Sequence, residues 1–334
     1  MLLAAAGCDR KPSEPAETRI PGGLQTRYFP PPGLTWGRLD IEGAPPLRYG
    51  VASPPKAVRA EVLILPDAGE PAEAWFETAS DLVARNYVVW VVDWAGQGGS
   101  GRWWGTQDRA YTPSMDLDVA AIRAMVSTVV RPRAHAPLVL MGDGLGAQLG
   151  LRALAAGLPG VRGAILGDPM LRARPLDLPG PIDSQLAADW ISKVGLGRIP
   201  APGEHGWRES DARGRGRWAV GQAWMRANPD LRLGGASLGW LAAYNRSAAA
   251  ARDPATLAHI AAPVLMLARP GAAGPAASAC KAIASCTFVA LAVEGPAPHL
   301  APDIVRGPWL EQAATFIEER SEGHVVAAAP VREK

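Results

Sequence analysis

Short apolar runs bounded by turn residues alternate with stretches of helical period along most of the chain. The runs EVLILP (61–66), YVVWVVD (87–93), PLVLMG (137–142), GAILGD (163–168), PVLMLA (263–268) and TFVALAV (287–293) are nearly continuous in apolar residues. That is the pattern of strands buried on both faces. Two earlier runs, GLTWGRLDI and LRYGVAS, alternate more and suit an antiparallel edge. Between the early strands, PAEAWFETASDLVARN and DLDVAAIRAMVSTVV place apolar residues at i, i+3 and i+4, which predicts helices. Strand–helix alternation of this kind predicts an α/β fold, a mostly parallel sheet flanked by helices.

The rhythm breaks between Pro169 and about Pro254. Here stand Trp190, Trp207, Trp218, Trp224 and Trp240, loop tracts such as GRIPAPGEHG, and the basic RESDARGRGR. An insertion at the carboxyl end of the sixth strand lies where α/β folds build their sites, so a helical, Trp-rich cap is expected. A second small core made of those tryptophans is compatible with it. The pattern divides the chain into a core (31–168 plus 255–322), a cap (169–254), an N-terminal segment (1–30) and a disordered tail (323–334).

The chain has 334 residues and a formal net charge of +2, with no long run of either sign, which gives no support to a nucleic-acid surface. No stretch reaches the roughly 18 apolar residues of a membrane-spanning helix. The start, MLLAAAGCDRKPSEPAETR, is similar to the end of a bacterial lipoprotein signal. Cys8 would then be lipidated, with Asp9 to about Gln25 as a disordered tether. That places the protein on the periplasmic side of a bacterial envelope, touching the membrane only through its anchor; without the anchor it would be cytoplasmic. The other cysteines, Cys280 and Cys286, are too few to hold zinc. They are two buried thiols or, in a periplasmic protein, a disulfide from a helix end to the next strand.

The chemistry centres on PLVLMGDGLGAQ (137–148). Its spacing is that of G-x-S-x-G, the strand-to-helix elbow that presents a nucleophilic serine, but glycine stands at position 144. LPDAGEPAEAWFETASDLVARNYVVWVVDWAGQGGSGR (65–102) carries Pro66, Asp67, Ala68, Gly69 and Glu70, then Asp93, Gly96, Gly98 and Ser100. Together with GAILGDPML, LGGASLGWL, IAAPVLML and CTFVALAVEG, these segments resemble the α/β-hydrolase superfamily over about residues 32–320. The nearest branch is that of bacterial lysophospholipases, monoacylglycerol lipases and serine aminopeptidases.

The resemblance implies a triad, and each of its positions is empty or displaced. Gly144 takes the nucleophile's place, and Ala272 falls where the acid is expected. The base is either His299, a surface-loop histidine out of register in EGPAPHL, or Pro296, where spacing from Asp303 and Arg306 puts it. Losing the nucleophile of such an enzyme costs on the order of 10⁶ in turnover. The oxyanion donors would be the N–H groups of Ala68 and Leu145, and Asp67 brings a carboxylate to a place meant for developing negative charge. A literal G-x-S-x-G at 235–239 follows a polar segment rather than a strand, so Ser237 is expected to cap a helix. Ser100 matches a structural loop serine, and Asp168 has nothing to orient. Asp67, Asp143 and His299 are weighed as metal ligands and rejected as too scattered; no cofactor is implied.

The expectation is therefore a catalytically inactive lysophospholipase-like protein. It would bind a lipid-like or acyl ligand under the cap, or an envelope protein. The alternative is an active esterase- or lipase-type enzyme using a relocated nucleophile or a metal-bound water.

Overall fold

The computed structural model describes residues 18–321, apart from 104–105, 107–108, 134, 175–195, 209–215 and 293–294. Cys8, the tail and Trp190 therefore lie outside the described residues.

Eight strands form one sheet: β1 (Thr35–Leu39), β2 (Leu47–Ala52), β3 (Ala60–Leu65), β4 (Tyr87–Val92), β5 (Leu138–Asp143), β6 (Val161–Gly167), β7 (Val264–Ala268) and β8 (Cys286–Ala290). Their order is β1-β2-β4-β3-β5-β6-β7-β8. β2 pairs antiparallel with β1 and with β4, and every other pairing is parallel. The alternating runs thus make the antiparallel edge and the apolar runs the buried centre, where β3 and β5 are buried at every position. This is the mostly parallel α/β-hydrolase sheet that the sequence predicts.

Helices α1 (Phe76–Ala84), α2 (Asp116–Ala124), α3 (Gly144–Ala155), α4 (Trp218–Ala227), α5 (Leu238–Arg252), α6 (Pro254–Leu257), α7 (Pro270–Lys281) and α8 (Asp303–Ser321) surround it. α2 continues as a wider π turn over Met125–Val130, so the predicted single helix is two kinds of helix in series. One core packs α2, α3 and α5 against the sheet, with Leu140, Leu149, Leu166 and Trp240 among its members. A second sets Trp75, Ile64, Val91 and Trp309 on the opposite face. The disulfide joins Cys280, in the last turn of α7, to Cys286 at the start of β8.

Within the stretch expected as a cap, two helices behave differently. α5 packs on α3 and shares the main core, while Trp224 of α4 builds a small third core with Tyr28, Phe76 and Leu231. That third core corrects the expected tether. The Arg19 N–H donates to Asn228 Oδ1 (2.7 Å), Asn228 Nδ2 donates to the Arg19 carbonyl (2.9 Å), and Leu24 packs on the cluster. The described residues from Arg19 onward are docked because α4 offers an apolar face and an amide to receive them.

Candidate functional site: a filled oxyanion hole

The elbow between β5 and α3 keeps the backbone of a nucleophile turn. Gly144 has φ +53°, a left-handed conformation that costs glycine little. A Cβ on Gly146 would overlap the Leu65 carbonyl, so this turn can only be built with glycine there. The strand-to-helix turn is kept, with no side chain at the place of a serine.

Asp67, in the loop after β3, explains what replaced it. Its Oδ1 accepts the backbone N–H of Ala68 (2.7 Å) and that of Leu145 (2.7 Å), the two donors that would face an oxyanion. A Cβ on Gly144 would land inside the same carboxyl group. One side chain therefore occupies both the oxyanion hole and the space of the nucleophile, and glycine at 144 is what lets it in. Burial pushes the Asp67 carboxyl up to about 6 against the pull of the Leu145 N–H; the Glu70 charge adds to the rise, while the Ala68 N–H and His299 oppose it.

His299 is not the surface-loop residue expected. It lies in a short 3-10 turn, Pro298–Leu300, only 3% exposed, and its ring stacks on Trp75 at 3.7 Å. Its Nε2 lies 2.7 Å from Glu70 Oε1, and its Nδ1 has no hydrogen-bond partner among the described residues. Glu70 Oε2 also accepts from Trp75 Nε1 at 2.8 Å. Burial alone would raise Glu70, but His299 and these hydrogen bonds outweigh it and hold the carboxyl below its ordinary value.

At the acid's expected place, Ala272 is half-buried in the first turn of α7. Three residues earlier stands a cation. Arg269 takes Asp168 Oδ1 with its backbone N–H (2.7 Å), ion-pairs with Asp168 Oδ2 through Nε, and donates from Nη1 to the Gly295 carbonyl. Asp143, preceding Gly144, is 3% exposed and accepts or donates no hydrogen bond through its carboxyl among the described residues. Burial, followed by the charges of Asp67, Asp168 and Glu70, raises it well above the carboxylate range, with Arg269 opposing.

Asp67, Glu70, Asp143 and Arg269 border a cavity of about 320 Å³, lined also by Trp218, Met225, Leu300 and Pro296. Among the described residues no group of three or more His, Cys, Asp or Glu side chains is arranged to hold a metal ion.

The model of the serine aminopeptidase S33 family matches residues 56–269, a span that includes the elbow, Asp67 and Arg269. The chain belongs to the serine aminopeptidase S33 family. Solved structures of the same fold include a soluble variant of monoglyceride lipase from Saccharomyces cerevisiae in complex with a substrate analog (16% identity, TM-score 0.60, 85% of this chain and 94% of that one). Others are the Paleococcus ferrophilus monoacylglycerol lipase (15%, 0.62, 81% and 98%) and a thermostable carboxyl esterase from Bacillus coagulans in complex with glycerol (14%, 0.64, 86% and 99%). No protein of curated function matches the sequence.

The two serines that the sequence singles out, Ser237 and Ser100, both hold backbone. Ser237 Oγ accepts from Trp240 N (3.2 Å) and caps α5. Ser100 Oγ donates to the Asp93 carbonyl and accepts from Arg48 N, both at 2.8 Å. The structure places Asp67, Ala68 and Asp143 at one cavity, links the Leu145 N–H to Asp67, and engages His299 with Glu70. Arg269 and the Glu70–Trp75–His299 stack escaped sequence reasoning. Arg269 was signalled only by its place directly after the strand PVLMLA.

Proposed function

We propose that this S33-family chain is silent as a serine hydrolase and that its cavity serves binding. The observation that carries this is Asp67 Oδ1 seated on the N–H groups of Ala68 and Leu145, at 2.7 Å each, beside a residue with no side chain. An acyl carbonyl would find its donors taken and no nucleophile within the turn, and its developing negative charge would meet a carboxylate. The ligand class expected from the family is lipid-like or acyl, and the apolar wall of Trp218, Met225 and Leu300 suits its hydrocarbon part. We further propose attachment to a bacterial envelope through Cys8; the Cys280–Cys286 disulfide supports an oxidising compartment.

Activity-based labelling tests both. A fluorophosphonate probe applied to cells expressing the full chain should leave it unlabelled, whereas robust labelling would revive an active enzyme with a relocated nucleophile. In the same cells, fractionated, the wild type should follow the membranes and Cys8→Ser should not; equal partition of the two would remove the anchor.

A further inference from the structure

The elbow cavity holds more acid than base, and its acids are unevenly served. Asp67 uses Oδ1 on two backbone N–H groups, leaving Oδ2 without a hydrogen bond among the described residues. Glu70 is matched by His299, and Arg269 is spent on Asp168 and the Gly295 carbonyl. Asp143 is left over: almost wholly buried, bordering the cavity, and without a hydrogen-bond partner among the described residues. Room for it is built in, because a Cβ on its cross-strand neighbour Gly167 would collide with its Oδ1. Gln222 of α4, on the opposite wall, has a buried Oε1 that likewise accepts nothing.

We propose that this cavity binds the ammonium group of a small organic amine, with Asp143, Asp67 Oδ2 and Gln222 Oε1 as acceptors and the hydrocarbon part against Trp218, Met225 and Leu300. The inference rests on the binding reading above and puts an amine in place of the acyl ligand expected from the family. Buried unpaired acceptors call for a donor, and the Asp143 carboxyl, Asp67 Oδ2 and Gln222 Oε1 have no hydrogen-bond partner among the described residues. The donors that would receive a carboxylate or ester carbonyl, the N–H groups of Ala68 and Leu145, are already filled. A divalent metal is disfavoured because no three ligating side chains converge. The volume of about 320 Å³ lies at the lower end of small-molecule pockets and favours a short amine.

Binding is linked to protons. The groups facing Asp143 are Asp67 and Glu70 from the loop after β3, Asp168 from the end of β6, Arg269 after β7, and His299 behind Glu70. Burial and then the charges of Asp67, Asp168 and Glu70 raise the Asp143 carboxyl; an arriving ammonium offsets them, so any proton it carries leaves as the amine binds. Affinity therefore rises with pH, by up to about tenfold per unit while Asp143 is protonated in the free protein.

Calorimetric titration of the full chain with hexylamine, hexanoate and hexanol in phosphate at pH 6 and 8 tests this. Hexylamine should bind, more tightly at pH 8, and the other two about tenfold or more weakly. Asp143→Asn should weaken hexylamine about tenfold and flatten the pH dependence. Gly221→Leu, whose new Cβ meets only Ala74 at 3.9 Å, should fold and block the cavity. Hexanoate or hexanol binding as well as hexylamine would overturn the proposal, as would unchanged affinity in Asp143→Asn. If that variant does not fold, a folded Gly221→Leu chain retaining affinity overturns it instead. An unlabelled chain without amine selectivity sinks this inference alone, whereas fluorophosphonate labelling sinks the silent-hydrolase reading whatever the titration shows.

Discussion

Two groups of buried carboxylates lie on neighbouring strands and solve the cost of burial differently. Around β2 and β4, Asp93 and Glu73 share the Arg48 guanidinium: Nε donates to Asp93 Oδ2 at 2.6 Å and Nη1 lies 2.8 Å from Glu73 Oε1. Asp93 also accepts the backbone N–H groups of Ala72 and Gly99, at 2.9 Å each, and the guanidinium lies over Trp36 at 3.9 Å. Both carboxylates of that group thus face the guanidinium, and each also takes part in an ion pair with it. Around the elbow, among the described residues, the only ion-pairing partners of Asp67, Glu70, Asp143 and Asp168 are Arg269 and His299, and burial with its acidic neighbours raises the Asp143 carboxyl. A buried charge without its partner is costly, so an imbalance maintained at a cavity marks a site, whereas a balanced cluster marks scaffolding.

The largest effect is expected from breaking the balanced group. Arg48→Met strands Asp93 and Glu73 without a cation and should cost about 3–5 kcal/mol, read by urea unfolding. Asp143→Asn keeps the shape of a carboxyl that has no ion-pair partner among the described residues and should stay within about 1 kcal/mol of wild type. Similar losses in both would erase the distinction between scaffold and site.

How far this was legible in sequence follows from the range of the interactions. Strands such as EVLILP announce themselves by local pattern, and the elbow by three glycines whose spacing is the backbone requirement itself. Asp67 was visible as an intruder, but its seat in the hole depends on a contact with Leu145, 78 residues away. His299 looked like a loop residue because prolines flank it; Glu70, 229 residues distant, and Trp75 bury it. The docking of Arg19 on Asn228 spans 209 residues and left no trace in the composition of a polar, Pro-rich segment.

The next effect concerns the exchange of one side chain for another within the unbalanced group. Gly144→Ser must push Asp67 off its two N–H groups and hold serine at φ +53°. Overpacking and left-handed strain together should cost about 3 kcal/mol. With Asp67→Gly in place, only the strain remains, about 1 kcal/mol, so the double-mutant cycle should show a coupling of about 2 kcal/mol. Additive losses would mean that positions 67 and 144 do not compete for one space, and the filled hole would not account for the glycine.

The smallest effect is a slope rather than a step. Asp67 titrates at about 6 in the fold, compared with about 3.9 in an unfolded chain. Because the folded value is raised, the native state holds the proton more tightly, and this group favours the fold most below about pH 4. As pH rises from there to about 6 its contribution is lost, on the order of 1 kcal/mol per pH unit. Asp118, raised to about 7 by burial in α2, slopes the same way and stays in every elbow variant. The informative quantity is therefore the difference between wild type and Asp67→Asn, whose amide oxygen can still accept from Ala68 and Leu145. Guanidinium unfolding across pH 4–7 should show the two curves separating between about 4 and 6 and running parallel above, and parallel curves throughout would mean that Asp67 sits in its hole without electrostatic cost. Arg48 offers no such slope. Although burial alone would lower it, Asp93 and Glu73 hold its guanidinium charged, so within the balanced group the slope comes from Glu73, whose carboxyl burial raises against the pull of Arg48.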